Sequence, residues 1–142
     1  MTKHWLFVSV PYTDFNKGSI HEMLEKITRS KTWPIGKRTG YRYELFEGDK
    51  ILFYQGGEEG KKIVGAAVIA SGLTKTKDSL CDYVMLREIE FWRKPVPIGK
   101  VLTKLSFVRD RARWGIYFRG GIVKISREDY MEILRHVRSL PY

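Results

Sequence analysis

Four short runs of β-branched and aromatic residues, each closed by turn residues, commit this chain to a sheet-centred fold. They are HWLFVSV at 4–10, ILFYQ at 51–55, IVGAAVIAS at 63–71 and DYVMLREIEFW at 82–92. Apolar runs of this length, bounded by breakers, suit buried strands. The punctuation agrees: Pro11 ends the first run, EGDK at 47–50 is a turn into the second, GGEEGKK at 56–62 reads as a hairpin loop, and Pro95 and Pro97 are expected to end the fourth. In the third run Gly65, Ala66 and Ala67 predict a closely approached or bulged backbone. In the fourth, Glu88 and Glu90 alternate with Ile89 and Phe91, so the acids face water and the apolar pair faces in.

Between the strands the period becomes helical. In GSIHEMLEKITRS at 18–30, Ile20, Met23, Leu24 and Ile27 share one face, and Ser19 with Glu22 forms a capping-box start. Near the other end Ser126 with Asp129 caps a helix whose buried stripe is Tyr130, Ile133, Leu134 and Val137. SKTWPIGKRTGYRY at 30–43 reads as a loop, IGKVLTKLSF at 98–107 as one helical turn and a loop, and GIYF at 115–118 as a strand. Strands outnumber helices and short turns join them. The economical arrangement is an α+β fold, a small curved sheet or barrel flanked by two or three helices. The length of 142 residues, with no repeat and no linker, fits one domain over 1–142.

Several classes lose support at once. Cys81 is the single cysteine and has no internal disulfide partner; no apolar run reaches the length of a signal peptide core or a membrane span, so a cytoplasmic location is expected. Asn16 and Gln55 are the only side-chain amides and 30% of residues are charged, a balance that leans towards a thermophile. His4, His21 and His136 are scattered, with no second ligand at zinc spacing, and read as surface or capping residues; no metal or other cofactor is expected. The serines lack nucleophile-elbow surroundings, Glu58 and Glu59 sit in a turn, and arginines flank Asp110, holding it ionised. GGEEGKK lacks the spacing of a phosphate-binding P-loop. A binding protein is therefore expected rather than an enzyme.

Charge and aromatics carry the functional signal. Lys and Arg number 26 against 16 Asp and Glu, a formal charge of +10, which favours a polyanionic partner or simply solubility. Residues 26–42 hold Lys26, Arg29, Lys31, Lys37, Arg38 and Arg42 with no acid among them. A second cluster, RDRARWGIYFRGG at 109–121, sets Arg109, Arg111, Arg113 and Arg119 around Trp114, Tyr117 and Phe118. Each cluster is either a solvated face or a phosphate-facing rim. Trp5 and Trp92 lie inside apolar strands and are assigned to the core. Trp33, in a Pro/Gly loop among basic residues, and Trp114, beside Arg113, either plug the end of a barrel or offer a face for stacking. A base gains about 1–3 kcal/mol on such a ring while neighbouring cations neutralise its phosphates.

In order along the chain, Trp5 in the first strand, TWPIGKR at 32–38, EGDKILFY at 47–54, KIVGAAVI at 62–69 and LSFVRDRARWGIYFRGGIVKISREDYMEI at 105–133 resemble the EVE domain of the PUA-like superfamily. The resemblance implies a barrel-type mixed β-sheet with flanking α-helices and a pocket at one side, similar in fold to the YTH readers of methylated adenine. It also implies a non-catalytic module that reads a modified base of DNA or RNA, flipped out of its strand into an aromatic pocket. On this sequence Trp33 matches the family's pocket Trp, and Ser9 and Val10 match the pocket edge. Tyr54 and Gln55 end a pocket-lining strand, and Arg113 and Trp114 match a late basic-aromatic pair. Lys37 and Arg38 stand where relatives carry phosphate-approaching residues, and Arg109, Arg111, Arg113 and Arg119 extend that rim. The chain departs from the pattern at SVPYTDF, 9–15, where many relatives have an Asn or an acid after the first strand; Tyr12 fills that space. The segment 71–82 is short, leaving the pocket open there. The competing readings are a PUA-like protein binding tRNA or rRNA without need of a modification, and a small-molecule or nucleotide enzyme. A reader without an effector of its own further implies a separate effector enzyme as partner.

Overall fold

The computed structural model describes residues 2–9, 20–56, 61–77, 81–109, 111–118 and 121–139; the side chains of 20–24, 111, 116, 138 and 139 fall outside that description. Strand β1 is His4–Ser9, followed by helix α1 (Ile20–Ser30), β2 (Thr32–Gly36), β3 (Lys50–Gln55), β4 (Lys62–Thr74) and β5 (Cys81–Pro97). A short helix α2 (Ile98–Val101), β6 (Ile122–Ile125) and helix α3 (Arg127–Ser139) complete the order. The strands form one sheet in the order β2-β5-β4-β3-β1-β6, with β1 and β3 parallel and every other pair antiparallel.

The sheet is curled into a half-barrel, and its aromatic contacts show why. Trp33 on β2 and Phe7 on β1 are separated by three intervening strands, about 19 Å in a flat sheet at the usual inter-strand spacing. Their ring centroids are 5.5 Å apart, and Trp33 also stacks on Phe53 of β3 at 5.2 Å. One core therefore fills the concave side, with Trp5, Phe7, Trp33, Ile35 and Phe53 all buried. The alternate residues Leu6, Leu52 and Tyr54 point to the convex side, where Ile98, Phe118, Tyr130 and Ile133 cover them. A strand with both faces buried reads as a continuous apolar run, which is the pattern of HWLFVS.

Two devices permit the curl. Register between β4 and β5 shifts repeatedly, with Glu88 at φ 51°, and such bulges bend a strand and increase its twist. At Gly65 a Cβ would lie 2.2 Å from the carbonyl oxygen of Glu90, so only glycine admits the close strand approach expected there.

Some expectations are corrected. The segment read as a loop at 30–43 contains β2. Pro34 belongs to an edge strand, where a missing N–H costs no ladder bond. Lys31, in the left-handed conformation (φ 56°), closes α1 and leads directly into it. Strand β5 runs on through Pro95 to Pro97, because β2 pairs only with residues 81–85 and leaves that edge of β5 unpaired. GIYF lies within a kinked 3₁₀ segment, Arg111–Phe118. Trp114, Tyr117 and Phe118 recur there at helical spacing, and all three pack on the convex core. His4 is buried rather than at the surface, its ring 4.8 Å from that of Tyr130. Trp92 is only partly buried, its indole N–H donating to Glu90 Oε1 at 2.8 Å.

Candidate functional site

A pocket of about 570 Å³ opens off the concave core between the last turn of α1, β2, the start of β5 and Gly121–Ile122. Trp33, Ile27 and Ile122 give it an apolar base, and Pro34 and Tyr83 add to its walls. The turn after β2, closed by the Thr39 N–H donating to the Gly36 carbonyl at 3.0 Å, sets Lys37 beside it. Gly121 (φ 83°) brings the chain entering β6 against Thr39 and into a 2.8 Å bond from the Val8 N–H.

The polar wall is built on Asp82. Register pairs it with Ile35, in phase with Val84 and Leu86, so its carboxylate points to the concave side and is only 4% exposed. Its Oδ1 accepts the Thr76 N–H at 2.9 Å and lies 3.6 Å from Lys37 Nζ. The Thr76 hydrogen bond first, then the Lys37 and Lys75 charges, hold the carboxyl below its ordinary pKa against the opposing effect of burial. Thr76 donates its hydroxyl to the Cys81 carbonyl at 2.7 Å, and Lys37 Nζ donates to the Thr76 carbonyl, so the wall is cross-braced. Oδ2 of Asp82 has no partner among the described residues.

Of the residues expected around a base, Trp33 borders the pocket, but as a buried strand residue and not as an exposed loop ring. Ser9 and Gln55, paired in register, alternate onto the concave side with Phe7 and Phe53. Tyr54 is on the other side of the sheet, stacked on Phe118 at 4.7 Å, and burial pushes its hydroxyl up to about 12. Trp114 packs edge-on to the same Phe118 at 5.8 Å, resolving the choice between wall and plug in favour of the convex core. Arg38, the residue after Lys37, is exposed and is not among the residues lining the pocket. Arg109 and Arg113 are exposed on the segment that covers the convex side, away from the pocket; the Arg111 side chain is not described. Val10, Tyr12 and Arg119 lie outside the described residues, as do Ser19, Glu58, Glu59 and Asp110. Sequence reasoning missed Asp82 and Thr76. The available signal was an acid in phase with the buried residues of a strand, a position where a carboxylate needs partners.

Beyond the rim lies a second surface. Tyr43 and Phe46 are each 59% exposed and Tyr41 is 45%. Lys3 Nζ stands 4.4 Å from the centre of the Phe46 ring, while Arg42 and Lys75 stand 4.6 and 5.0 Å from that of Tyr43. Their charges, and above all the Arg42 hydrogen bond, lower the Tyr43 pKa. Exposed Glu44 and Glu47 share the stretch, Glu47 lying 3.7 Å from Arg87. Arg42 Nη1 also donates to the Thr39 carbonyl at 3.0 Å, which ties this surface to the pocket. Among the described residues no group of three His, Cys, Asp or Glu can hold a metal ion, and no helix is long and apolar enough to cross a membrane.

Known proteins resemble the chain throughout. The human THYN1 protein, solved in complex with 5-methylcytosine-containing DNA, superposes with a TM-score of 0.68 at 16% identity, over 99% of this chain and 100% of that one. Protein Atu2648 of Agrobacterium tumefaciens gives 0.67 at 22% identity, over 96% and 93%. The N-terminal domain of Staphylothermus marinus McrB gives 0.61 at 18%, over 94% of each. These likenesses show a shared fold over nearly the whole chain. A UPF0310 protein of Mycobacterium avium is 36% identical over 59 residues, 36% of this chain and 42% of that relative's length. The EVE domain model matches residues 3–136, and the chain belongs to the EVE domain family.

Proposed function

We propose that this protein is a nucleic-acid-binding module that takes a modified base into the pocket bordered by Trp33, without catalysing a reaction on it. The observation that carries this reading is the pocket itself: an aromatic base, one buried carboxylate, Lys26 in its lining and Lys37 against that carboxylate, on a strongly basic chain. A planar ring entering it gains dispersion against the largely apolar lining, which offsets part of the few kcal/mol lost in leaving its strand. The methylated DNA bound by THYN1, a protein of the same fold, supports it.

The test is binding of fluorescent DNA and RNA oligonucleotides, single- and double-stranded, carrying methylated adenine, methylated or hydroxymethylated cytosine, or no modification. Selective binding of one modified base, lost in a variant that blocks the pocket such as Ser30→Trp, is the expected result. Equal affinity for all, indifferent to the block, overturns it. The exposed Tyr43 and Phe46 among Lys3, Arg42 and Lys75 favour a second reading, modification-independent contact with single strands such as tRNA or rRNA loops. That reading predicts a steep salt dependence and loss of affinity in Tyr43→Ala with Phe46→Ala.

A further inference from the structure

We infer that the Asp82–Lys37 pair reads the edge of the bound base, admitting one that presents an amino group beside a ring-nitrogen acceptor and rejecting one with the opposite pattern. The inference rests on the base-binding reading above and names the class of base. Asp82 is buried on the concave side beside Ile35, and its Oδ1 is occupied by the Thr76 N–H and Lys37. Oδ2 therefore remains as an acceptor in a pocket otherwise lined largely by apolar groups. An ionised carboxylate only accepts hydrogen bonds, and an ammonium only donates them. Lys37 Nζ gives one N–H to the Thr76 carbonyl, stands in ion-pair range of Asp82 Oδ1, and has further N–H groups to offer.

A carboxylate that accepts and an ammonium that donates thus stand side by side, Nζ lying 3.6 Å from the Oδ1 end of the carboxylate. Cytosine and adenine match them: the exocyclic amino group donates to Asp82 and the neighbouring ring nitrogen accepts from Lys37. Thymine and uracil invert the pattern, setting a carbonyl against the carboxylate and an N–H against the ammonium. At Asp82, which is buried, the mismatch sets a carbonyl against a carboxylate that has little access to water, a costly arrangement. The structural alternative is that the pair only fastens the β4–β5 connection to β2.

The decisive comparison is 5-methylcytosine against thymine in one oligonucleotide context, because the two share the ring methyl and differ only at the edge. Wild type is expected to prefer 5-methylcytosine by about ten- to a hundredfold, the discrimination of a good paired contact. Asp82→Asn, whose amide presents a donor or an acceptor, and Lys37→Gln are each expected to bring the two affinities within a few-fold. Thermal melting of both variants separates this from unfolding, and the wild-type comparison stands even if Asp82→Asn fails to fold. Equal wild-type affinity for the two bases, with both lost in Ser30→Trp, overturns the inference while leaving a base in the pocket. Affinity untouched by Ser30→Trp overturns the base-binding reading and this inference with it.

Discussion

The indole of Trp33 and the phenyl ring of Phe7 meet at 5.5 Å although their strands are four places apart in the sheet, so one residue both closes the half-barrel and forms the base of the pocket. Trp33→Ala is therefore first a stability variant. Removing a buried indole costs about 3–5 kcal/mol, and chemical denaturation is expected to show a loss of that size in unfolding free energy, read as a lower midpoint at unchanged slope. Trp33→Phe retains most of the packing and is the variant in which binding is best measured.

Gly65→Ala is expected to destabilise the fold by about 3 kcal/mol or more. The added Cβ meets the Glu90 carbonyl oxygen at 2.2 Å and Phe91 Cδ1 at 2.8 Å, and backbone oxygen cannot yield without opening the β4–β5 ladder. Denaturant melts measure the loss. Gly99→Ala, with nothing within 4 Å of its new Cβ, serves as the quiet control.

Asp49 gathers three donors at the entry to β3: the Lys3 N–H at 3.0 Å, the Trp5 indole N–H at 3.0 Å and the Phe46 N–H at 3.1 Å. Asp49→Ala strands a fully buried indole N–H among them, and a loss of roughly 3 kcal/mol is expected. Asp49→Ala with Trp5→Phe removes donor and acceptor together, so the double variant should lose less than the sum of the singles.

Stability should fall at both ends of the pH range. Burial, reinforced by the Lys50 and Arg127 charges, lowers the His4 pKa below 6.5. The unfolded chain then takes up that proton first, so stability is complete above about pH 6.5 and declines as pH falls through the folded value. Tyr54 acts in the opposite sense. Its hydroxyl is raised to about 12, so its contribution is complete below about pH 10 and is lost as pH rises through 12. Melting temperatures from pH 5 to 12, repeated on His4→Gln and Tyr54→Phe, check both: each variant should flatten its own limb.

The strands were legible where buried, β-branched runs ended in breakers, as at His4–Ser9 and Lys50–Gln55. β2 was hidden because Pro34 and Gly36 punctuate a sequence locally, whereas an edge strand tolerates both. The aromatic spacing 114, 117, 118 fits a helical turn, but Gly115 and the β-forming residues around it outweighed it. Trp33 borders the pocket, but as a buried ring on a regular strand, whereas its Pro/Gly surroundings suggest an exposed loop. Asp82 escaped because an acid within a strand announces nothing until the register sets it beside Ile35 and the turn brings Lys37 to it. The pocket itself exists only once the sheet curls, and no local pattern encodes that.

β1 sits between β3 and β6, its residues His4 to Phe7 laddered to Ile122–Ile125. During synthesis the first strand can pair with β3 early but must wait for the chain as far as β6, on the order of ten seconds at usual elongation rates. Throughout that interval an almost wholly apolar strand presents an open edge, the form most prone to pairing with another nascent chain. Placing the first and last strands side by side thus makes the ribosome's pace, as much as the finished contacts, a determinant of how much native protein a cell obtains.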